Sequence, residues 1–261
     1  MTQFDFWSQN PCGADGNFKR VAEQRYRLEP WLPREIKEIP RSLERYLEIG
    51  CGQGTDSYFL CSHVETSAEH IAIDYSKESV ERARNFVDEA KDIFDLNIVP
   101  DFRHGNALDL DFQSEEFDFV YSMGVLHHTP DPQKAVDEVF RVLKPGGQAK
   151  IFLYKRPSLK VGIAKFLRML QWMVDKLFFQ ERVFYKLIQG RYSHFFGSMF
   201  LECFGVPWME WYSRNELQQM FRNFSAVEIQ PYEFNFPKQL GTGSYGYNRL
   251  GYFYLINARK P

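Results

Sequence analysis

The chain has 261 residues, of which 44% are hydrophobic and 25% are charged, and its formal net charge is -2. This length is sufficient for one domain with a sizeable core, and the near balance of charge argues against a general nucleic-acid-binding protein. The four cysteines show neither a C-x-x-C pair nor metal-ligand spacing, so we expect reduced thiols and no metal site. No basic start followed by an apolar run opens the sequence, which predicts a cytoplasmic protein.

A turn and a helix are predicted before the first strand. Turn residues occupy positions 10–13, and a helical stretch follows from Asn17 to Leu28. An apolar run at 47–49 then reads as a strand. The helix therefore lies ahead of the first strand as a separate N-terminal element.

A glycine-rich loop joins the first strand to the next helix. Glycines stand at Gly50, Gly52 and Gly54, and helical residues begin at Thr55. Glycine permits dihedral angles and a close approach that other residues forbid, and a helix N-terminus attracts anionic groups. A dinucleotide fingerprint would place its third glycine at position 55, so this spacing disfavours a nucleotide-dependent oxidoreductase. The loop predicts a bound nucleotide-like cofactor.

The second predicted strand, 70–74, ends in Asp74. An acid about twenty residues after such a loop can accept two hydrogen bonds from a ribose diol. Capping of the following helix, 76–90, is the alternative role, but Ser76 is better placed as the N-cap. We therefore assign Asp74 to ribose binding.

Three more strands complete the predicted parallel sheet. Residues 101–107 contain the end of the third strand and the turn after it. The fourth strand spans 117–121 and the fifth spans 148–154. Between the last two, Asp131 and Pro132 begin a helix that ends before the turn at 144–147. Alternation of strands and helices predicts a sheet covered on both faces.

The glycine spacing and the string from Phe117 to Gly147 resemble the class I S-adenosylmethionine-dependent methyltransferases, in particular the type 11 subfamily that includes quinone-biosynthesis enzymes. The resemblance implies an α/β, Rossmann-like, doubly wound sheet of seven strands, with the last strand antiparallel and a helical cap inserted after the fifth. We accordingly divide the chain into an N-terminal helical segment that closes over the cofactor (1–40), a cofactor-binding core (41–155), a cap for substrate recognition (156–212) and a C-terminal helix with strands (213–261).

The resemblance also implies a donor, S-adenosylmethionine, whose product is S-adenosylhomocysteine. Arg25 would pair with the methionine carboxylate, with Arg27 or a solvated arginine as alternatives, and Tyr26 would line the same cleft as a substrate residue. Asn106 replaces the acid common in the family, but its carbonyl oxygen can still accept from the adenine amino group. The other predicted donor-binding residues are Glu48, Gly50, Cys51, Gly52, Gly54, Asp74, Tyr75, Ala107, Ser122 and Met123.

Catalytic candidates follow the fourth strand. Open parallel sheets bind ligands beyond the carboxyl ends of their strands, which places His127 and His128 nearest the transferred methyl group. An imidazole with a near-neutral pKa can take a proton from an acceptor, and structural packing under the donor is the alternative. Tyr154, at the end of the fifth strand, is predicted to orient the acceptor.

The segment 157–188 has apolar residues at helical spacing, interleaved with basic ones. Packing against the sheet, a lid over a greasy substrate and contact with a membrane surface are three overlapping interpretations of this pattern. A capping box at Ser213 then opens a helix to Phe221. Strands are predicted at 226–230 and 251–258, joined by an aromatic loop containing Gly241, Gly243, Tyr245 and Tyr247.

These features predict transfer of a methyl group to an oxygen or carbon of a hydrophobic small molecule, such as a natural product, isoprenoid, quinone or lipid intermediate. The aromatic content of 17% favours an apolar acceptor. Two alternatives stay open: methylation of RNA, in which the basic cap would track phosphates, and a catalytically idle protein that binds the donor. The sequence does not predict the oligomeric state.

Overall fold

The computed structural model describes residues 16–179, 210–235, 243–247 and 251–261. Within these ranges one sheet contains eight strands, in the order β3-β2-β1-β4-β5-β8-β6-β7. Strands β1 to β5 are parallel, and β8 is antiparallel to both neighbours, β5 and β6. The strands are β1 (Arg45–Ile49), β2 (Glu69–Asp74), β3 (Asp101–His104), β4 (Phe117–Met123), β5 (Leu143–Tyr154), β6 (Ala226–Asn235), β7 (Gly243–Tyr247) and β8 (Phe253–Arg259).

Helices cover the sheet on both faces, which confirms the predicted Rossmann-like, doubly wound architecture. A 3₁₀ turn, Leu126–His128, links β4 to the helix before β5. The helices of the described ranges are α1 (Phe18–Leu28), α2 (Leu32–Lys37), α3 (Thr55–Cys61), α4 (Lys77–Asn85), α5 (Val87–Ile93), α6 (Pro132–Val142), α7 (Leu159–Phe178) and α8 (Arg214–Met220).

Helix starts follow the predicted capping chemistry. The side chains of Asn17, Ser76 and Asp131 each accept a hydrogen bond from the backbone three residues later. Ser213 and Glu216 form a complete capping box at α8. Each such cap satisfies an otherwise unpaired N–H and contributes about 1 kcal/mol, so local sequence fixes where these helices begin.

Side chains of each strand alternate between two separate cores. In β1, Leu47 and Ile49 pack into the core shared with α6 and α8, whereas Tyr46 faces the core shared with α2 and α3. Phe18 of α1 is fully buried in a third cluster, with α3, α4 and α5. The N-terminal helix is thus held by the core itself.

Three features of the fold differ from the predicted ones. The helix expected over 76–90 divides at Phe86, whose ψ of 0° interrupts the helical pattern while its ring packs 5.5 Å from that of Phe18. Strand β5 begins at Leu143, before the predicted turn residues, because Leu143 pairs with Phe117 of β4 and Gly147 accepts from the backbone of Lys260 at 2.9 Å. Pairing with the neighbouring chain segments outweighs the turn propensity there.

The third difference is an additional strand. The glycine-rich segment expected to be a loop contains β7, which pairs antiparallel with β6, so the sheet has eight strands and not seven. β6 itself extends to Asn235, beyond the predicted end at residue 230. Pairing with β7 covers backbone groups of β6 that would otherwise be an open edge, and glycines do not prevent a short edge strand.

A buried ion pair fastens α2 to the sheet. The Nζ atom of Lys150, in β5, lies 3.0 Å from the carboxylate of Glu35 and 3.0 Å from its backbone oxygen. The hydroxyl of Tyr232 donates to the other carboxylate oxygen, and Arg34 lies 3.3 Å from the same carboxylate. Burial acts to raise the pKa of Glu35, but the Tyr232 hydrogen bond and the Lys150 charge outweigh it and lower the pKa.

We predict that Lys150→Met destabilises the protein by about 3 kcal/mol, because it removes one partner of a buried pair and leaves the other charged. Urea unfolding at neutral pH measures the difference. Since the pKa of Glu35 is lower in the folded state, the pair stabilises the protein above the unfolded pKa of a carboxyl. The difference in the free energy of unfolding between variant and wild type therefore becomes smaller as the pH falls and Glu35 is protonated.

Lys91→Met is the matched control, because Lys91 is exposed and its substitution should change stability by less than about 0.5 kcal/mol. The double variant Lys150→Met with Glu35→Gln should recover part of the loss, since it removes the orphaned charge. Equal stability of wild type and Lys150→Met would show that the pair does not hold α2.

Candidate functional site

The glycine loop is tied to the end of β2. The backbone nitrogens of Gly50 and Cys51 donate to the oxygen of Ile73 at 2.8 and 3.0 Å. Gly50, Gly52 and Gly54 have φ values of 84°, 54° and 83°, in the left-handed region that favours glycine. The loop therefore has the shape that its sequence predicted.

Side chains from the segment after β4 and from β3 approach the loop so closely that a Cβ atom would not fit. A Cβ at Gly50 would lie 2.2 Å from Cγ2 of Val125, and one at Gly54 would lie 2.7 Å from Cζ of Phe102. Only glycine therefore fits at these two positions of the loop. The observed cradle fits a nucleoside that contacts main-chain atoms.

Asp74 lies at the end of β2, beside this loop. One carboxylate oxygen accepts from the nitrogen of Gly52 at 2.8 Å, and the other accepts from the nitrogen of Ser76 at 2.8 Å. Burial raises the pKa of Asp74, while these two hydrogen bonds act to lower it. Each oxygen keeps lone pairs for further donors, so the carboxylate can also accept from a ribose diol. The hydroxyl of Ser76 caps α4, as predicted.

The predicted adenine-binding residues lie at the adjacent turn after β3. The nitrogen of Gly105 donates to the backbone oxygen of Asp74 at 3.0 Å, which brings this turn to the loop. The side-chain oxygen of Asn106 accepts from the nitrogen of Leu108 at 3.0 Å and retains a second lone pair. The ring centroid of Tyr75 lies 5.7 Å from that of His104. Ala107 packs against the main core.

Helix α1 closes over the start of α3 through two polar contacts. The guanidinium of Arg25 lies 2.6 Å from the carboxylate of Asp56, and the hydroxyl of Tyr26 donates to the backbone oxygen of Thr55 at 3.3 Å. Arg25 thus has a protein partner in this structure, and its pairing with a donor carboxylate stays a prediction. Arg27, the alternative, is exposed. Asp56 was not among the predicted residues, although an acid in the first helical turn is a recognisable signal.

Glu48 lies below the loop in a buried polar network. Its carboxylate accepts from the hydroxyl of Ser57 at 2.5 Å and lies 3.6 Å from Nε2 of His70. Burial, reinforced by the charge of Asp56, raises the pKa of Glu48 to about 8. Burial also lowers the pKa of His70 to about 3. Both groups are therefore mainly neutral at pH 7, and the side chain of Glu48 contacts the network and not the loop surface.

Tyr121 adds an unusual buried hydroxyl to this region. It stands beside Glu48 in the register of β4 against β1 and is 2% exposed. Among the described residues its hydroxyl has no hydrogen-bond partner. Burial and the charges of Asp56 and Glu48 raise its pKa well above the usual value. A buried hydroxyl without a partner is a donor available to a polar ligand.

The predicted catalytic residues occupy the end of β4. The ring centroid of His127 lies 4.2 Å from that of His128 and 4.1 Å from that of Tyr154. His127 is fully buried and His128 is 9% exposed. Ser122 is also buried, where its hydroxyl donates to the backbone oxygen of Ile49 at 3.1 Å. The structure thus brings the two histidines and Tyr154 together, and their roles stay predictions.

An aromatic cluster surrounds Tyr154, and most of its members were not predicted from the sequence. The ring of Tyr154 stacks on Phe253 at 4.9 Å, and Tyr252 lies 6.4 Å away. Trp31 and Phe152 complete the cluster, with Met123 packed against it. Concentration of aromatic residues in the C-terminal third was the available signal, but β8 brings these residues to the site through non-local pairing.

Three further observations concern cavities, metal binding and membrane spans. A surface cavity of about 380 Å³ contains none of the predicted site residues and is lined by Gln133, Tyr212, Asn215, Glu216, Gln219, Met220 and Arg222. In the ranges that the structure describes, no group of three or more His, Cys, Asp or Glu residues could hold a metal ion. None of the described helices is long and apolar enough to cross a bilayer.

Comparisons with known proteins agree with this geometry. Residues 47–151 match the family model of a methyltransferase domain. The demethylmenaquinone methyltransferase of Geobacillus sp. (strain WCH70) is 26% identical over 197 residues, which cover 74% of this chain and 75% of that protein. The corresponding enzyme of Staphylococcus carnosus (strain TM300) is 26% identical over 228 residues, covering 85% and 81%.

A solved structure shares the fold. It is an S-adenosylmethionine-dependent methyltransferase of Thermotoga maritima, described as a possible histamine N-methyltransferase, and the two chains superpose with a TM-score of 0.61 at 19% identity. The match covers 99% of this chain and 100% of that one. At this identity the likeness concerns the architecture alone.

We predict that Gly54→Ala destabilises the protein by about 1–3 kcal/mol, because residue 54 has a left-handed φ and its Cβ would meet Phe102. Thermal unfolding followed by circular dichroism measures the loss. Gly162→Ala is the matched control, because a Cβ at residue 162 would meet no atom within 4 Å and alanine favours the helix. A Gly54→Ala variant as stable as Gly162→Ala would contradict the described packing of the loop.

Proposed function

This chain is a class I S-adenosylmethionine-dependent methyltransferase of the type 11 kind, and from that premise we propose that it methylates an oxygen or carbon of a hydrophobic, aromatic small molecule. A demethylated quinone in its reduced form is the acceptor class that we favour. Two relatives are demethylmenaquinone methyltransferases. The observation that carries the proposal is the aromatic cluster around Tyr154, next to the histidine pair at the end of β4.

The residues around the glycine loop fit the donor. Asp74 would accept from the ribose hydroxyls, and the turn at Asn106 would contact the adenine. Arg25 and Tyr26 contact the start of α3, and the methionine part would extend toward them and toward the Tyr121 hydroxyl, which has no hydrogen-bond partner among the described residues. When bound, the sulfonium supplies an electrophilic methyl group, so the chain's own task is to align the acceptor and exclude water.

The acceptor would lie against the aromatic cluster. Stacked rings such as Tyr154 and Phe253 favour a planar apolar partner and exclude water. A hydroxyl or ring carbon of a hydroquinone must lose a proton when it is methylated, and an imidazole can accept that proton. His128 is the better candidate for this role because His127 is fully enclosed between His128 and Tyr154.

We predict that Asp74→Ala weakens binding of S-adenosylmethionine by about 10- to 100-fold, because two hydrogen bonds to a charged acceptor are lost. Isothermal titration calorimetry with S-adenosylmethionine and S-adenosylhomocysteine measures the dissociation constants. Asp88→Ala is the matched control, since Asp88 is 93% exposed on α5. Wild-type affinity in a folded Asp74→Ala variant would place the ribose elsewhere.

The acceptor is tested by incubating the protein with methyl-labelled donor and a panel containing a demethylated hydroquinone, a phenol, an isoprenoid, histamine and RNA. Mass spectrometry should find the label on the hydroquinone. His128→Ala should lower turnover about 10²- to 10⁴-fold with little change in donor affinity, whereas His63→Ala should not. A label confined to histamine or RNA, or full turnover in His128→Ala, would refute the proposed chemistry.

A further inference from the structure

Helix α7 presents apolar side chains to solvent. Five of its large apolar residues, Phe166, Met169, Trp172, Met173 and Leu177, are between 48% and 72% exposed, as is Phe178 at its last position. Scattered exposed apolar residues are common on proteins, but a contiguous set marks an interaction surface. We call these five residues the apolar face of α7.

The apolar face is continuous along the helix. With 3.6 residues per turn, Met169, Met173, Phe166 and Leu177 fall within a sector of about 80°, and Trp172 lies at its flank. Gln171, which is buried, lies on the opposite side of the helix. The helix thus contacts the protein through one side and leaves its apolar face on the outside.

Basic side chains border this face. Lys165, in the first half of the helix, and Lys176, near its end, lie between Trp172 and the main apolar sector. The Nζ atom of Lys165 lies 5.0 Å from the centre of the Trp211 ring. The Nζ atom of Lys176 lies 5.6 Å from the centre of the Trp172 ring. In sequence, α7 contains four basic residues, Lys160, Lys165, Arg168 and Lys176, against a single acid, Asp175. The border is therefore positively charged.

We propose that α7 is an interfacial helix that docks this protein on the surface of an anionic lipid bilayer. The apolar face would enter the boundary between headgroups and acyl chains, with the helix lying parallel to the surface. Lys165 and Lys176 would extend along their apolar stems to reach anionic headgroups, and Trp172 suits the same interface. Charge complementarity selects an anionic surface.

A second copy of the chain fits this face less well than a bilayer. Two α7 helices packed antiparallel about a twofold axis would bring Lys165 of one copy next to Lys176 of the other. Like charges facing each other across such an interface are destabilising. Asp175 lies about 100° from these lysines around the helix and does not offset them.

Docking would have a consequence for the acceptor. Helix α7 begins five residues after Tyr154, so its docking would bring the carboxyl edge of the sheet to the membrane. A hydrophobic acceptor could then enter from the lipid phase. This consequence rests on the proposed function, whereas docking itself does not.

Sedimentation with vesicles tests the docking. The full chain is mixed with vesicles of phosphatidylcholine alone, or with vesicles in which about one third of the lipid is phosphatidylglycerol. We expect binding to the anionic vesicles, weakened by added salt, and little binding to the neutral ones. Equal binding to both vesicle types, or binding to neither, would overturn the proposal.

Two sets of variants assign the binding to α7. Lys165→Gln combined with Lys176→Gln should weaken partitioning about thirtyfold, because each lysine near the surface contributes about 1 kcal/mol. Phe166→Ser combined with Leu177→Ser should abolish measurable sedimentation, because the buried apolar area is lost. Val99→Ser is the matched control, since Val99 is 53% exposed away from α7.

Thermal unfolding of each variant shows whether it remains folded, and solvent-facing substitutions on α7 should leave the melting temperature near that of wild type. Vesicle binding unchanged in both α7 variants would overturn the proposal. A molecular mass in solution that rises with protein concentration would indicate self-association. If Phe166→Ser with Leu177→Ser abolished that rise and the wild type did not bind vesicles, the face would be assigned to a second copy. Failure of the quinone assay would leave these readouts unaffected.

Discussion

The hydrogen bonds between the glycine loop and the end of β2 are the constraint on which the site depends. Two loop nitrogens share the oxygen of Ile73, and a third donates to Asp74. These bonds set the distance between the loop backbone and the carboxylate, and the parallel pairing of β1 with β2 holds that distance constant. Without them, a loop of this glycine content would have many conformations of similar energy.

Three acidic side chains that can carry negative charge, those of Glu48, Asp56 and Asp74, cluster around this loop. Burial raises the pKa of both Glu48 and Asp74, and the neighbouring carboxylates raise the pKa of Glu48 further. Arg25 offsets part of this charge through Asp56. An environment that disfavours additional negative charge favours a cation, and the sulfonium of the proposed donor is a cation. The same electrostatics that make the cluster costly in the free protein would therefore contribute to binding.

Features encoded in short stretches of sequence could be predicted. The caps at Asn17, Ser76 and Asp131 depend on residues three positions apart, and the glycine loop depends on spacing within one turn. The parallel core of the sheet followed from the alternation of apolar runs. The resemblance of one continuous string to a known family then supplied the antiparallel last strand.

Features that join distant segments could not be predicted. Arg25 meets Asp56 across 31 positions, and Lys150 meets Glu35 across 115. The break at Phe86 results from packing on Phe18, and β7 forms because β6 offers it an edge. In each case the local propensity pointed elsewhere and tertiary contact decided the outcome. The aromatic cluster around Tyr154 belongs to the same class, because the pairing of β8 with β5 brings Tyr252 and Phe253 to it.

The interior position of β8 has a consequence for biogenesis. Its partner β5 emerges from the ribosome about one hundred residues earlier. One hydrogen-bonding edge of β5 therefore stays unpaired while α7 and β6 are translated. The parallel half of the sheet can form cotranslationally, but the strand order cannot close until β8 is inserted between two strands that are already present. Nascent chains of this protein therefore pass through a stage in which that edge is unpaired and can pair with other strands.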